Sequence, residues 1–373
     1  MNITHVVENL NCGGLERMVI ELAKAQRAAG HRCQVVCVFE RGTLVVELDA
    51  VGIPVTACGK RRGLDLRALR RLRRAVAGHA TQILHTHNAA AHYLAVLATL
   101  GRPIARIINT RHGMAVSQAM SRREWLYHRA LARTDAVAMV CAAAREDAVR
   151  HGLVPERLAH VVPNGIRIEA FASADAASRE RLHETLGLAP GARVIGTVGR
   201  LNWAKNQVSL IRAFARVQAE LADAVLVLVG AGRLRQELEQ CARAEGVERQ
   251  VHFLGARGDV RDLLPGFDVF ALSSVSEGYS MALLEASASG LAIVATDVGG
   301  NREIVRDGVT GCLVPARDDA ALAAALLALL RDPARVQRLG AAARRWALTE
   351  GSLQAMAERY EALYHDQPEY ACA

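Results

Sequence analysis

The sequence predicts an α/β protein made of two doubly wound domains. Short runs rich in Val and Ile alternate with longer segments of helical period, which is typical of βαβ units around a parallel sheet. The series is interrupted at HVVPNGI, residues 160–166, where Pro163 and Gly165 break the pattern, and a second series follows. A chain of 373 residues, 51% of them apolar, is long enough for two such cores.

The elements of the first domain, residues 1–165, can be assigned in order. ITHVV, residues 3–7, is a β-branched run that predicts a strand, and a Gly-Gly loop leads from it into a helix from Leu15. Further strands are predicted at 33–39, 81–87 and 135–141, a strand with its following loop at 105–113, and a helix at 90–100.

The second domain, residues 166–350, repeats this alternation after a hinge near 163–175. Its predicted strands are 193–199, 224–230, 251–255, 268–272, 292–296 and 311–314. Its predicted helices are 207–220, 233–245, 281–289 and the segments that follow the last strand. Because such folds bind ligands at the carboxyl ends of their strands, a cleft between two facing domains is expected.

The formal net charge of +8 is unevenly distributed. Residues 1–165 contain 23 Lys and Arg against 12 Asp and Glu, a net +11, and the remainder contains 23 against 26, a net −3. The excess peaks in GKRRGLDLRALRRLRR, residues 59–74. As a helix, this basic segment would align an apolar stripe between its arginines: Leu66, Leu69, Leu72 and Val76.

The basic segment has two interpretations. It fits peripheral contact with an anionic membrane, and it also fits a solvated face in a protein that uses 43 Arg and 3 Lys. Nucleic acid is a poorer partner, because aromatic residues make up 4% of the chain and none interleaves with the segment.

Cysteine usage and hydropathy favour a cytoplasmic protein. The eight cysteines are scattered, with no C-x-x-C pair and no Cys/His grouping at zinc-site spacing, so reduced thiols are expected. The first residues carry no basic leader with an apolar core. The longest apolar run, residues 321–330, is half of the ~20 residues needed to span a bilayer.

Two glutamates surround a predicted helix start in SSVSEGYSMALLEASASG, residues 273–290. A helix beginning near Ser280 would direct free N–H groups and a positive dipole end at an anion such as a diphosphate. Glu285 then suits the hydroxyls of a ribose, and Glu277 those of a second sugar, because carboxylates accept hydrogen bonds from hydroxyls. Two ordinary surface carboxylates would give the same pattern.

A second cluster lies in GTVGRLNWAKNQ, residues 196–207, between a strand and a helix. Arg200 and Lys205 could neutralise a departing diphosphate. Lys205 is the more informative residue, since in a chain that strongly prefers Arg a lysine indicates that a compact ammonium is needed. The alternative is a solvated surface lysine.

Glycines after the first strand form a third cluster. Gly13 and Gly14 in ENLNCGGLER allow a ligand to approach the backbone closely. This is not a G-x-G-x-x-G motif, and in VGAGRLR, residues 229–235, the third position is Arg235. A nicotinamide-dependent enzyme is therefore disfavoured.

Histidines end two strands of the first domain. His112 in INTRHG could hydrogen-bond a substrate hydroxyl or a departing group, or be a solvated loop residue. His85 and His87 in LHTHN have no third ligand nearby in sequence, which favours packing or cleft lining over metal binding. No D-x-D motif is present, so the sequence predicts no metal or other cofactor.

These residues resemble those of the retaining glycosyltransferases of the GT-B type, specifically family 4, the glycosyl transferases group 1. The resemblance covers essentially the whole chain, and each stretch is weak alone while their ordered sum is specific. In order, the stretches are GGLER, RHG, VVPNGI, VGRLNWAKNQ, LVLVGAGRLRQELE, VHFLGARGDV, SEGYSMALLEASASG, ATDVGGNREIV and DGVTGCLVP.

The resemblance implies a role for each site residue. Two Rossmann-like domains would face each other across the cleft, the first binding the acceptor and the second the nucleotide sugar. The last helix, about 351–373, would cross back onto the first domain. Glu277 would contact the donor sugar and Glu285 the ribose, with His112 beside the reacting carbon and Arg257 near the base. The diphosphate would be bound by Arg200, Lys205, Gly14 and the backbone at Gly278, Tyr279, Ser280 and Met281.

The function implied is retaining, metal-independent transfer of a sugar from a nucleoside diphosphate sugar, with UDP preferred. The acceptor would be a glycan or lipid-linked glycan of exopolysaccharide or cell-envelope synthesis at the cytoplasmic face of the membrane. Many relatives have other residues where this chain has Ser280 and Met281, which predicts an altered donor pocket. A sugar-nucleotide epimerase or hydrolase and a non-catalytic binding protein remain as alternatives.

Overall fold

A computed structural model describes residues 1–11, 13–113, 121–171 and 176–365. The chain divides into two compact units, the first consisting of Met1–Gly165 together with the chain from Leu353 onwards, and the second of Ile166–Ser352. The predicted hinge at 163–175 and the predicted final helix lie in part outside the described residues. In the described ranges, no helix is both long and apolar enough to cross a membrane.

The first unit contains seven strands among its described residues. They are β1 (Asn2–Val7), β2 (Arg32–Cys37), β3 (Val55–Ala57), β4 (Ile83–His87), β5 (Arg106–Arg111), β6 (Ala136–Met139) and β7 (Ala159–Val161). The helices of this unit are α1 (Gly14–Ala28), α2 (Val46–Asp49), α3 (Leu66–Gly78), α4 (Asn88–Ala98), α5 (Arg122–Leu131), α6 (Ala142–Arg150) and α15 (Leu353–Tyr364).

All strand pairs of this sheet are parallel, in the order β3-β2-β1-β4-β5-β6-β7. Alternate strand residues point to opposite faces, so Val35 and Val36 enter different cores. One core is covered by α1 and α15, and the other by α3 and α4. The sheet is therefore buried on both faces, as near-continuous apolar strands require.

Residues 66–74 of the basic segment lie in α3, with Asp65 as its N-cap: the Asp65 side chain accepts from the N–H groups of Arg67 and Ala68. The predicted apolar stripe is present on α3, but Leu72 and Val76 pack into the core and are not available to lipid. Leu66 is 55% exposed. Any membrane contact by α3 would therefore involve its exposed arginines and Leu66.

The second unit contains six described strands. They are β8 (Arg193–Val198), β9 (Ala224–Val229), β10 (Val251–Gly255), β11 (Val269–Leu272), β12 (Ala292–Thr296) and β13 (Cys312–Val314). Its helices are α7 (Ala176–Leu186), α8 (Gln207–Glu220), α9 (Arg235–Ala244), α10 (Val260–Leu263), α11 (Met281–Ala288), α12 (Asn301–Ile304), α13 (Asp319–Leu330) and α14 (Pro333–Thr349).

This sheet is also parallel, in the order β10-β9-β8-β11-β12-β13. Helices α8, α9 and α13 supply Leu210, Leu238 and Leu326 to the core on one face. On the other face α11 packs against α14 and β12. The predicted fold class, α/β with two doubly wound domains, is confirmed.

Candidate functional site

The strand orders place a topological switch point in each sheet. In the second unit the chain runs outwards from β8 through β9 to β10, and then in the opposite direction from β11 to β13. The loops after β8 and β11 therefore leave adjacent strands in opposite directions, which opens a crevice at their carboxyl ends. The two predicted clusters, at residues 196–207 and 273–290, occupy these two loops.

The loop after β8 is shaped by close backbone packing and a left-handed residue. A Cβ at Gly230 would lie 1.9 Å from the carbonyl oxygen of Gly199, so no larger side chain fits there. Asn206 has φ +48° immediately before α8, a conformation that Asn tolerates better than most residues. The Lys205 N–H donates to Asn202 Oδ1 at 3.1 Å. These contacts fix the direction in which the Lys205 side chain leaves the loop.

Lys205 and Glu277 meet across the crevice. Lys205 Nζ donates to Glu277 Oε1 at 2.5 Å, and Ser274 Oγ donates to the same oxygen at 2.6 Å. Ser273 Oγ donates to the Lys205 carbonyl oxygen at 3.0 Å and so ties the two loops together. The two charged side chains remain 19% and 11% exposed, so a ligand can reach them.

The turn after β12 packs against the backbone at Glu277 and Gly278. Gly299 has φ +52°, and a Cβ there would lie 1.8 Å from the carbonyl oxygen of Glu277. The N–H of Gly300 donates to the carbonyl oxygen of Gly278 at 2.9 Å. Glycine at 299 is therefore needed both for its left-handed conformation and for this close approach.

Helix α11 begins beside Glu277, at Met281, with Ser280 as its N-cap. Ser280 is buried and its hydroxyl has no hydrogen-bond partner among the described residues. The third and fourth N–H groups of the helix donate to the Ser280 carbonyl oxygen, whereas those of Met281 and the residue after it have no intrahelical acceptor and present donors at this end of the helix. Glu285, partly buried, lies one turn further along.

Two arginines that the sequence predicts as site residues are not part of the Lys205–Glu277 ion pair. Arg200 is exposed on the Lys205 loop, and its carbonyl oxygen accepts from Gln207 Nε2 at 3.0 Å. Arg257 follows β10, two strands away from β8, and forms a bidentate pair with Asp259 at 2.8 and 2.6 Å. That pair raises the pKa of Arg257 and lowers the pKa of Asp259.

The switch point of the first unit lies between β1 and β4. Gly13 and Gly14 follow β1, where Gly13 is the extended N-cap of α1 and Gly14 its first residue. His112 follows β5, the strand next to β4, and its main-chain N–H donates to Asn88 Oδ1 at 3.2 Å. Burial lowers the pKa of His112 to about 3, so its ring is neutral at pH 7.

The structure brings a third histidine, distant in sequence, to His85 and His87. His5 on β1 lies between them and Gln26, with His5 Nδ1 3.1 Å from His87 Nε2. The register of β1 on β4 aligns His5 with His85, which a single sequence does not reveal. The nitrogens of His5, His85 and His87 lie within 4.8 Å of one another.

Each ring nitrogen of this cluster has a hydrogen-bond partner. His85 Nδ1 lies 2.7 Å from the Tyr364 hydroxyl and its Nε2 lies 2.8 Å from Thr110 Oγ1. His87 Nδ1 lies 3.1 Å from His112 Nε2. All six nitrogens of the three rings thus have partners, and a metal ion would have to displace them.

A cationic cavity in the first unit was not predicted as a site. It has a volume of about 370 Å³, and Lys60, Arg61, Arg62 and Arg123 line it together with Phe39, Tyr93 and Glu8. The sequence signal was the KRR run at residues 60–62. Tyr93 and Arg123 come from α4 and α5, so only the fold brings them to that run.

Both units match families of known proteins. A family model described as Glycosyl transferases group 1 matches residues 178–346, and one described as Glycosyltransferase Family 4 matches residues 12–170. Among curated proteins, the chain is 29% identical to "Putative glycosyltransferase EpsD" of Bacillus subtilis (strain 168), over 80% of this chain and 81% of that protein.

Two further comparisons agree with these matches. The chain is 27% identical to the "UDP-Gal:alpha-D-GlcNAc-diphosphoundecaprenol alpha-1,3-galactosyltransferase" of Escherichia coli, over 68% of this chain and 67% of that protein. Among solved structures, Anabaena Alr3699/HepE in complex with UDP superposes with a TM-score of 0.88 at 22% identity, over 98% of this chain and 100% of that chain. This last likeness is one of fold.

Proposed function

The chain belongs to the family 4 glycosyltransferases of the GT-B fold, the group 1 glycosyl transferases, and from that premise we propose a specific reaction for it. The enzyme transfers a sugar from a nucleoside diphosphate sugar, preferably a UDP-sugar, with retention of anomeric configuration and without a metal. The acceptor is a glycan or lipid-linked glycan of exopolysaccharide or cell-envelope synthesis.

The observation that carries the donor site is the Lys205–Glu277 pair at the β8/β11 switch point. An ammonium group and a carboxylate side by side complement a sugar diphosphate, whose phosphates need a cation and whose hydroxyls need an acceptor. The first-turn N–H groups of α11 add donors for the anion at the same edge of the sheet.

The predicted site residues then have these roles in donor binding. Lys205 and Arg200 bind the diphosphate, together with the backbone from Gly278 to Met281. Glu277 holds hydroxyls of the donor sugar, and Glu285 those of the ribose. Arg257 lies near the base. His112 lies beside the reacting carbon.

The chemical step needs charge stabilisation at the leaving group more than it needs an acid or a base on the protein. The bond from the anomeric carbon to the diphosphate oxygen breaks, and the acceptor oxygen bonds to the same face of that carbon. The acceptor's proton passes to the departing diphosphate. Lys205, Arg200 and the helix N-terminus offset the charge that develops there, and one such preorganised donor contributes roughly 3–4 kcal/mol.

The acceptor is anionic in this proposal, and it binds at the cationic cavity of the first unit. Four cationic side chains with Phe39 and Tyr93 suit a phosphate attached to an apolar or sugar moiety. The galactosyltransferase relative has a diphosphoundecaprenol acceptor in its name, which is consistent with this chemistry. The exposed arginines of α3 would hold the enzyme at the anionic cytoplasmic face of the membrane.

A ligand screen followed by product analysis tests the proposal. UDP-, GDP- and ADP-sugars are compared for the rise in Tm they cause, since a ligand at 100 times its Kd stabilises the native state by about 2.7 kcal/mol. A UDP-sugar is expected to give the largest shift, and transfer to phosphorylated acceptors is then followed by the anomeric NMR signal. No shift with any sugar nucleotide, or hydrolysis alone in the presence of acceptors, would overturn it.

A further inference from the structure

A row of hydrogen-bonded imidazoles crosses the first sheet and ends at His112. From the interior outwards, Gln26 Oε1 lies 2.7 Å from His5 Nε2, His5 Nδ1 lies 3.1 Å from His87 Nε2, and His87 Nδ1 lies 3.1 Å from His112 Nε2. Gln26, His5 and His87 are each at most 2% exposed. The donor site requires only the last of these residues.

The row has a direction, because a neutral imidazole donates from one nitrogen and accepts at the other. Gln26 fixes that direction at the buried end: its Nε2 donates to the Tyr364 hydroxyl at 2.8 Å, which leaves Oε1 to accept from His5 Nε2–H. His5 Nδ1 must then be an acceptor.

The direction set by Gln26 also determines which nitrogens donate in the remaining hydrogen bonds of the row. His87 donates from Nε2 to His5 Nδ1, so His87 Nδ1 accepts from His112 Nε2–H. His112 Nδ1 is then the unprotonated nitrogen. It is buried and has no hydrogen-bond partner among the described residues. The lone pair of His112 Nδ1 can therefore accept a hydrogen bond from a ligand.

This alternation of one donor and one acceptor nitrogen per ring requires His5, His87 and His112 to be neutral, since an imidazolium donates from both nitrogens. Burial lowers the pKa of His5 to about 4, although its hydrogen bond to Gln26 opposes this, and lowers that of His112 to about 3. Burial also lowers the pKa of His87 well below its usual value. All three rings are therefore neutral at pH 7.

We propose that Gln26 is a positioning residue that acts through His5 and His87 to hold His112 as a hydrogen-bond acceptor at Nδ1. The group it selects is a hydroxyl O–H on the substrate, and a carbonyl or ether oxygen at that point is rejected. The role of the lone pair in catalysis rests on the proposed function, which places His112 beside the donor sugar. The direction of the row does not rest on it.

Nitrogen NMR of histidine-labelled protein tests the direction of the row without reference to activity. In the wild type, His5, His87 and His112 are expected to show the Nε2–H tautomer. His92 is an internal reference outside the row, since its nitrogens contact Thr86 and Thr134. An Nδ1–H signal from His112 in the wild type would overturn the proposal, and this outcome requires no variant.

A pair of matched variants tests the role of Gln26. Gln26→Met removes the acceptor, and His112 is expected to change to Nδ1–H or to a mixture of tautomers. Gln34→Met is the control, because Gln34 is also buried in this unit but bonds to Thr4 and Ala75 instead of the row. An unchanged His112 tautomer in folded Gln26→Met, or an equal change in both variants, would contradict the proposal.

Kinetics then connect the row to the reaction. Loss of one neutral hydrogen bond to the donor is expected to lower kcat/KM about 2- to 10-fold in Gln26→Met and not in Gln34→Met. A tautomer change without this kinetic effect would leave the row established and refute the contact between His112 and substrate. Absence of any transfer in the wild type would count against the glycosyltransfer proposal alone.

Discussion

Lys205 and Glu277 neutralise each other in the ligand-free protein, and this determines how their substitutions combine. Lys205→Ala removes the ammonium proposed to stabilise the diphosphate, so turnover is expected to fall roughly 100-fold or more. Glu277→Gln is expected to cause a loss of similar size, because the amide is a weaker acceptor for sugar hydroxyls. The double variant should lose much less than the product of the two effects, since the residues act as a unit.

Steady-state kinetics on the three variants measure this coupling. Lys24→Ala is the matched control, because Lys24 also forms ion pairs, with Glu21 and Glu47, but belongs to α1 of the first unit. Its activity should stay close to wild type. Activity of Lys205→Ala within a few-fold of wild type would refute the assignment of that residue.

Gly299 is a second position where a single added methyl group is expected to change donor binding. Gly299→Ala places a methyl group 1.8 Å from the carbonyl oxygen of Glu277, so the loop that carries the carboxylate must move. Gly308→Ala is the control, because Gly308 also has a positive φ, +71°, but nothing lies within 4 Å of the added methyl group. The left-handed conformation costs both variants roughly 1–2 kcal/mol.

The two glycine variants should therefore differ in donor binding. Gly299→Ala is expected to bind the donor at least about 10-fold more weakly than Gly308→Ala, as the displaced Glu277 loses its contacts with Lys205 and sugar. Isothermal calorimetry and chemical denaturation measure the two effects separately. Equal donor affinity in the two variants would show that the Glu277 backbone tolerates the displacement.

Secondary elements with strong periodicity could be predicted from the sequence, whereas of the three described edge strands that have three residues each, only β13 was predicted. Helix α8 begins and ends at the predicted residues, 207 and 220, because its apolar face keeps a helical period throughout. Strands β3 and β7 were not predicted, since each has three residues and lies at an edge of the sheet. Three residues are too few to establish a period of two.

Site residues could likewise be predicted where a local sequence pattern identifies them, and could not where their role depends on tertiary contacts. Residues on loops after predicted strands were identified, because the carboxyl ends of parallel strands meet at one edge. His5 and Gln26 were missed, since their role depends on the register of β1 against β4 and on the packing of α1, which no local pattern encodes. The supporting contact of Gly299 with Glu277 depends in the same way on the pairing of β11 with β12.

Helix α3 allows the membrane proposal to be tested by charge alone. Arg67, Arg70 and Arg74 are exposed, while the apolar side of the helix faces the core. Replacing these three by Gln is expected to weaken binding to anionic vesicles roughly 100-fold, at about 1 kcal/mol per arginine near a charged surface. Flotation at low and physiological salt measures the effect.

The control for α3 removes the same charge elsewhere. Arg216, Arg243 and Arg249 are exposed in the second unit, and their replacement by Gln should leave vesicle binding unchanged. Vesicles of neutral lipid should bind neither the wild type nor the variants. Wild-type binding that is insensitive to salt, or absent, would count against an electrostatic membrane contact.

Across the whole molecule, buried histidines are concentrated in the first unit, and this predicts unequal stability towards acid. Burial lowers the pKa of His5 to about 4 and those of His92 and His112 to about 3. His85 and His87 are also lowered, by burial and by the neighbouring histidines. Arg111 contributes to the shift at His92. In the second unit, burial lowers the pKa of His252.

These shifts make the first unit less stable as the pH falls. Below about pH 6.5 the histidines of the unfolded chain become protonated, whereas the buried histidines of the native state stay neutral. The native state therefore loses stability relative to the unfolded chain as the pH falls from about 6.5 towards 4. Each such histidine lowers the free energy of unfolding by roughly 1.4 kcal/mol per pH unit in this window. Hydrogen exchange at pH 7.5, 6.5 and 5.5, corrected for intrinsic rates, measures the two units in one experiment. Protection should fall much more steeply in Met1–Gly165 than in Ile166–Ser352, and parallel losses would mean that the histidines are hydrated in solution.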